Sequence, residues 1–392
     1  MKGTSKQNWA LLYIAFCLLI TTIITFWRTW EQTYPPPHPE PIHNTTVKTS
    51  NEASATLQET KAPELPLSIT ENVGQMLMIG YWGTDSTEAL LPLIAEGLVG
   101  GVMLMNGNVG ATDEVTAATV HALKAAVPAH LPPLLVAIDQ EGGIVSRLPE
   151  DDTMLAQPAI ASETAAYETA YTRGARLHDI GIDINFAPVL EHITNSESFL
   201  YDRTFRVAAE AVGPLGTAMV RGYADTGVTA TLKHFPGHHN DSADSHESLP
   251  ISNSNTPEAL RSAIAPFSYT LRHTSSTPLV MTSHVSYPHF DANFPASLSA
   301  YFINDLLRTE LGFDGVVITD DLNMGAITET FTRPEAIAAA VHAGSDILLF
   351  VVEPSAIRTV HQTLMDLVDT GRITETRIDE SLKRIMILKS NQ

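Results

Sequence analysis

Between Lys233 and His246 the chain packs four histidines, two aspartates and a lysine into fourteen residues: Lys233-His234-Phe235-Pro236-Gly237-His238-His239, then Asp241, Asp244 and His246. Titratable groups at this density, on a loop after a short apolar run (Thr229–Leu232), point to proton transfer or to a metal site. A metal would draw on His234, His238, His239, Asp241 and His246, a ligand set that zinc or iron accepts. The helix-borne His-Glu-x-x-His pattern is absent, and Pro236-Gly237 splits the cluster, so proton transfer is the stronger reading. Asp244 stands two residues from His246, where a carboxylate can fix the imidazole tautomer and raise its basicity. A histidine held in this way can protonate a leaving group and recover the proton from water. The ordinary alternative is a solvated polar loop.

A second set of groups follows other apolar runs. In Val316-Val317-Ile318-Thr319-Asp320-Asp321-Leu322-Asn323-Met324, a carboxylate at the end of a buried strand is a candidate nucleophile for an anomeric carbon. Strand alternation puts Asp320 on the face of Val316 and Ile318 and Asp321 on the other, so one of the pair is expected to support local backbone. In Ile138-Asp139-Gln140-Glu141-Gly142-Gly143-Ile144-Val145-Ser146-Arg147, two glycines allow a tight turn, Asp139 can accept from sugar hydroxyls and Arg147 can donate. Arg203 lies in the long connection around Tyr201–Arg206, and long connections in compact domains often carry function. On their own, both segments are more ordinarily structural. His284, ending Met281-Thr282-Ser283-His284, reads as a core or supporting histidine.

Positioning these groups requires a scaffold, and the chain spells one. Short apolar runs alternate with segments of helical spacing. The runs are Met76–Gly80, Val102–Met105, Leu134–Ile138, Asp183–Phe186, Thr229–Leu232, Leu279–Thr282, Val316–Thr319 and Ile347–Phe350. The helices fall over Thr87–Glu96, Asp113–Val127, Glu163–Ile180, Val207–Thr226, Pro257–His273, Ala300–Leu311, Arg333–Ala343 and Ser355–Thr370, with a last one over Glu375–Ser390. The strands are unalternated, as parallel strands buried on both faces must be. Eight such units in about 325 residues predict an α/β fold, a single (β/α)8 TIM-type barrel. An open doubly wound sheet is the alternative, but a glycine-rich phosphate loop is missing. In a barrel, Asn106 and Asn108, Asp139-Gln140-Glu141, Lys233-His234, Ser283-His284 and Asp320-Asp321 all follow strands and converge on one mouth.

Composition narrows the partners. The 392 residues carry a formal net charge of -21, which disfavours nucleic acid, since phosphate binding needs clustered Lys and Arg. The single cysteine, Cys17, excludes a disulfide framework or a cysteine zinc site within one chain. Residues 10–27 are uncharged, with Lys2 and Lys6 before them, Arg28 after them and Trp9, Trp27 and Trp30 at the ends. That pattern predicts an uncleaved membrane anchor over residues 1–30, with the remainder outside the cytoplasm. Residues 31–64, rich in Pro, Thr and Ser, read as an extended tether, and the catalytic domain is expected over 65–392.

With these residues in view, roughly residues 65–390 resemble glycoside hydrolase family 3, in its β-N-acetylhexosaminidase branch. The resemblance rests on Lys233-His234-Phe235-Pro236-Gly237-His238 followed by Asp244-Ser245-His246. It rests also on Gly74-Gln75-Met76-Leu77, Asp139-Gln140-Glu141-Gly142-Gly143, Asn185-Phe186-Ala187-Pro188-Val189, Asp202-Arg203-Thr204-Phe205, Pro295-Ala296-Ser297-Leu298-Ser299 and Asp320-Asp321-Leu322-Asn323-Met324. It implies a retaining exo-β-N-acetylglucosaminidase, with Asp320 as nucleophile and His246, paired with Asp244, as acid/base. Asp139, Arg147, Arg203, Lys233 and His234 would hold the sugar, and no metal or organic cofactor is implied. The expected partners are N-acetylglucosamine-containing glycans and, through the N-terminal segment, a membrane. The chain departs from the family at His239 (commonly Gly), Ile144 (commonly Arg) and Glu191 (commonly Asp). A phosphorylase acting at the same site and a non-catalytic wall-binding module remain as competing readings.

Overall fold

The computed structural model describes residues 67–83, 86–149, 155–238, 245, 248–252 and 256–392. The anchor and tether expected over residues 1–64 lie outside the described residues, as do Asp244 and His246. Among the described residues, no helix is long and apolar enough to cross a membrane.

The eight expected strands all form, in order: β1 (Leu77–Gly80), β2 (Gly101–Leu104), β3 (Leu135–Ile138), β4 (Ile184–Asn185), β5 (Thr229–Phe235), β6 (Leu279–Thr282), β7 (Val317–Thr319) and β8 (Leu348–Val351). All pairings between them are parallel. The sheet runs β7-β6-β5-β4-β3-β2-β1-β8, and a parallel bridge from Ile318 to Ile347 joins its two ends into a nearly closed barrel. Seven of the strands are buried over nearly their whole length, and in β5 only Thr229 is partly exposed. Burying each Leu, Ile or Val from both sides contributes roughly 1.5–3 kcal/mol, which is why these runs do not alternate.

The helices that follow the strands are α2 (Ser86–Ala95), α3 (Asp113–Ala125), α4 (Glu163–Ile180), α5 (Ala209–Ala224), α6 (Pro257–His273), α7 (Tyr301–Glu310, with π-helical hydrogen bonding), α9 (Arg333–Ala343) and α10 (Pro354–Asp369), with α11 (Glu375–Ser390) last. α4 shows how local sequence sets such a helix. Ser162 accepts from the Ala165 N–H at its start, and Gly181 at φ 91° ends it in the left-handed region. Two helices were not anticipated. A seven-residue helix, α1 (Ile69–Gln75), opens on a reciprocal cap between Ser68 and Glu71, and α8 (Gly325–Thr328) is a single turn after β7.

One boundary needs correction. Lys233 and His234 do not follow β5 but belong to it, because the strand continues to Phe235. Its register against β6 slips between Leu232 and Phe235. The Lys233–His234 and Phe235–Pro236 peptide bonds are cis.

Candidate active site

Asp139 follows β3 directly, and Lys233 reaches it from β5. The Lys233 ammonium donates to Asp139 Oδ1 at 2.6 Å and sits 2.7 Å from Glu141 Oε1. Arg203, from the long connection after β4, holds Glu141 through two parallel bonds of 3.0 and 2.8 Å. Arg147 spans Asp139 Oδ2 at 3.3 Å and Asn106 Oδ1 at 3.1 Å. Three cations thus face two carboxylates, leaving one positive charge in excess. Lys233 is 2% exposed and Glu141 1%. Burial alone would push the Asp139 carboxyl up, but Lys233, Arg147 and Arg203 overcome it and hold it at about 2. Burial likewise opposes ionisation of Glu141, and Arg203 and Lys233 again win and lower it.

The turn that carries these groups is set by its glycines and by a buried arginine. Gly142 has φ 88°, and a Cβ there would lie 2.5 Å from Arg173 Nη2, so both conformation and space require glycine. Arg173 of α4 donates to the Glu141 carbonyl at 2.9 Å and the Leu155 carbonyl at 3.2 Å. Gln140 points the other way and braces the turn from within. Its Oε1 accepts from the Arg147 and Leu148 N–H groups, and Asn185 brackets its backbone.

A second cluster lies beside the first. Glu191 Oε1 accepts from His234 Nδ1 at 2.9 Å, and the same carboxylate meets His238 Nδ1 at 3.2 Å and the His238 backbone N–H. All three residues are buried. Burial pushes the His234 imidazole down, so the ring is neutral and its Nδ1–H donates. Burial opposes ionisation of Glu191, but the facing rings hold it well below the usual carboxylate range. His234 thereby presents Nε2 as an acceptor, with its tautomer fixed by Glu191. His238 Nε2 is buried without a hydrogen-bond partner. Among the described residues, Glu191, His234 and His238 are the group whose ligand atoms, within 4.8 Å of one another, could share a metal ion. Four N–H groups, the main-chain N–H and ring Nδ1 of both histidines, already satisfy much of that carboxylate. Of the five metal ligands weighed from the sequence, only His234 and His238 are brought together here. His239, Asp241 and His246 lie outside the described residues.

Asp320, directly after β7, is partly exposed, and its Oδ1 accepts from the Asp321 N–H at 2.8 Å. Asp321 has the supporting role expected of one of the pair. Its Oδ1 accepts from the Asn323 and Val351 N–H groups, both at 2.9 Å. His284 is fully buried, as a supporting histidine should be. One ring nitrogen meets Ser297 Oγ at 2.7 Å and the other the Asp321 carbonyl at 2.9 Å. The histidine loop returns to this neighbourhood at Ser245, whose carbonyl accepts from the Ala326 N–H at 3.3 Å. Farther back in the loop, the Tyr287 hydroxyl donates to the Gly237 carbonyl.

The structure therefore gathers Asp139, Arg147, Arg203 and Lys233 into one network and gives His234 to another. Glu141 and Glu191 are the hubs of those networks, and neither was singled out as a site residue. Glu141 shares strand parity with Asp139, a signal that was readable. For Glu191 only its departure from the family pattern drew notice.

A barrel whose charged groups crowd the carboxyl ends of its strands is an enzyme architecture. The chain belongs to glycosyl hydrolase family 3 and is a glycoside hydrolase: residues 68–388 match the N-terminal domain of that family. It is 36% identical over 304 residues to a beta-hexosaminidase of Alkalilimnicola ehrlichii, covering 74% of this chain and 84% of that one. Among solved structures it is similar to a family 3 β-N-acetylglucosaminidase from a Paenibacillus species, with TM-score 0.75 and 36% identity over 83% of this chain, though it spans 62% of that protein. It is also similar to a β-N-acetylhexosaminidase from Beutenbergia cavernae, with TM-score 0.75 and 29% identity, covering 83% of this chain and 99% of that one.

Proposed function

We propose that the protein removes terminal N-acetylglucosamine from β-linked glycans by double displacement. Asp320 attacks the anomeric carbon, the glycosidic bond breaks, and a glycosyl-enzyme forms. His246, oriented by Asp244, gives its proton to the leaving oxygen and then takes one from the water that releases the sugar. Asp139, Arg147, Arg203, Lys233 and His234 hold the hydroxyls and the acetamido group. Relatives named beta-hexosaminidase support the substrate class. The observation that carries the mechanism is the Ser245–Ala326 bond. Ser245 lies between Asp244 and His246 in sequence, and Ala326 is six residues beyond Asp320, so this bond between the two loops supports the pairing of acid and nucleophile.

The substrates we favour are peptidoglycan fragments or chitin-type oligosaccharides, met outside the cytoplasmic membrane. The uncharged run of residues 10–27 with its flanking tryptophans supports that placement. Proton NMR of the first sugar released from N,N′-diacetylchitobiose tests the reaction. The β-anomer is expected first, and an initial α-anomer would refute double displacement. A sugar phosphate appearing when inorganic phosphate is added would make the enzyme a phosphorylase instead.

A further inference from the structure

We propose that Trp82 is the platform on which the leaving sugar, the second pyranose of the substrate, stacks during cleavage. This rests on the hydrolase reading above and adds an aglycone subsite to it. Trp82 lies two residues beyond β1 and is 51% exposed. Among the described residues, four exposed large apolar side chains stand on connections that follow strands: Trp82, Ile144, Leu155 and Ile251. Trp82 is the only ring among them. Half exposed on the active face of a barrel, the indole offers an apolar surface that a ligand there can cover.

Hydrogen bonds place its loop between the two halves of the site. On one side, the Gly80 carbonyl accepts from the Val352 N–H at 3.0 Å, and the neighbouring Val351 N–H donates to Asp321 Oδ1 at 2.9 Å. That path ends one residue from the proposed nucleophile. On the other side, the Gly83 carbonyl accepts from Asn108 Nδ2 at 3.1 Å, in the turn that also carries Asn106. Asn106 accepts from Arg147, which binds Asp139. Around the barrel, β1 is two strands from β7 and two from β3. The loop that carries Trp82 thus lies on the rim between the groups that would attack the sugar and those that would hold it.

The chemistry of the occupant follows. A β-linked pyranose presents a face of C–H bonds that packs flat on an indole, while its hydroxyls stay in water beyond the rim.

The test compares two substrates of one sugar. N,N′-diacetylchitobiose carries a second pyranose, whereas N-acetyl-β-glucosaminyl fluoride carries only a fluoride that cannot reach the rim. Trp82→Ala should lower kcat/KM on chitobiose by roughly 3- to 10-fold, the range an aromatic contact supplies, and leave the fluoride unchanged. Trp82→Phe should restore most of the loss. Equal losses on both substrates, or no loss on chitobiose, would overturn the subsite. A wild-type protein that turns over neither substrate would instead overturn the hydrolase reading itself.

Discussion

The two ends of the barrel each hold a buried cluster of charge, and the clusters are built differently. At the amino-terminal end, fully buried Asp346 accepts from Arg308 at 2.7 Å, Arg384 at 3.0 Å, the Val317 N–H at 3.0 Å and Ser381 Oγ at 3.0 Å. The cations there spend most of their donors on main-chain carbonyls. Arg308 binds those of Phe313, Gly315 and Gly344, and Arg377 those of Val341 and Ser345. Lys389 of α11 gives all three protons to neutral acceptors: Gln75 Oε1 and the carbonyls of Gly100 and Pro133. At the carboxyl-terminal end, Lys233, Arg147 and Arg203 meet carboxylate side chains instead. A cation bound to carbonyls fixes backbone and is spent. A cation bound to a carboxylate beside an open mouth can share its hydrogens with an incoming hydroxyl. A cavity of about 680 Å³ also opens near the lower cluster, lined by Gly227, Ser276, Phe313 and Arg384. Its size alone does not make it the catalytic site, since the convergent carboxylates and histidines lie at the other end.

The comparison makes graded predictions. The largest effect is expected of Asp320→Ala, which should lower kcat on an aryl N-acetylglucosaminide by at least about 1,000-fold with an unchanged melting temperature. Substantial residual turnover would remove Asp320 from the nucleophile role. Next comes a crossed pair at the two ends. Asp346→Asn removes the buried anion shared by three partly buried arginines and should cost about 3–5 kcal/mol of stability, while kcat/KM of the folded fraction stays unchanged. Lys233→Met should lower kcat/KM about 100-fold or more, whatever it does to stability. If denaturant titration and kinetics show the two variants behaving alike, the division between the ends fails.

A smaller loss, about 10- to 100-fold in kcat/KM, is expected of Glu191→Gln, because the His234 tautomer is no longer fixed. It should come with an altered pH profile, and a profile parallel to wild type would leave Glu191 merely structural. The smallest effect concerns Lys389. Burial pushes its ammonium down to about 7, below the unfolded value of 10.5. Between those values the unfolded chain holds the proton and the folded one releases it, so stability contributed at this site rises with pH across that window. Urea titrations at pH 7 and pH 9.5 should show that rise in wild type and not in Lys389→Met.

Much of the architecture was legible because burial on both faces leaves a plain trace, an apolar run without alternation. α4, α6, β6, α9 and α11 fall where spacing and caps put them. α1 was missed although Ser68 and Glu71 spell its capping box. β5 was cut short because Pro236-Gly237 signals a loop, whereas the strand persists to Phe235 through a slipped register. The site was legible in residue types and less so in partners. That Lys233 bridges Asp139 and Glu141 is a contact across 94 and 92 positions, and nothing local announces it. Glu191 was noticed only as an odd residue in a family block, and its histidine partners lie 43 and 47 positions on.

Ring closure has a consequence for how the molecule comes into being. β1 pairs with β8 across some 270 positions, Leu77 beside Leu348, and Lys389 clasps Gln75 and Gly100 from the start of the barrel. A ribosome makes those partners last. Until β8 arrives, the growing chain holds an open sheet whose two apolar edges have no mates, and such edges invite pairing with other chains. Closure of the barrel therefore depends on contacts between its earliest and latest parts, which can form only once β8 has been made.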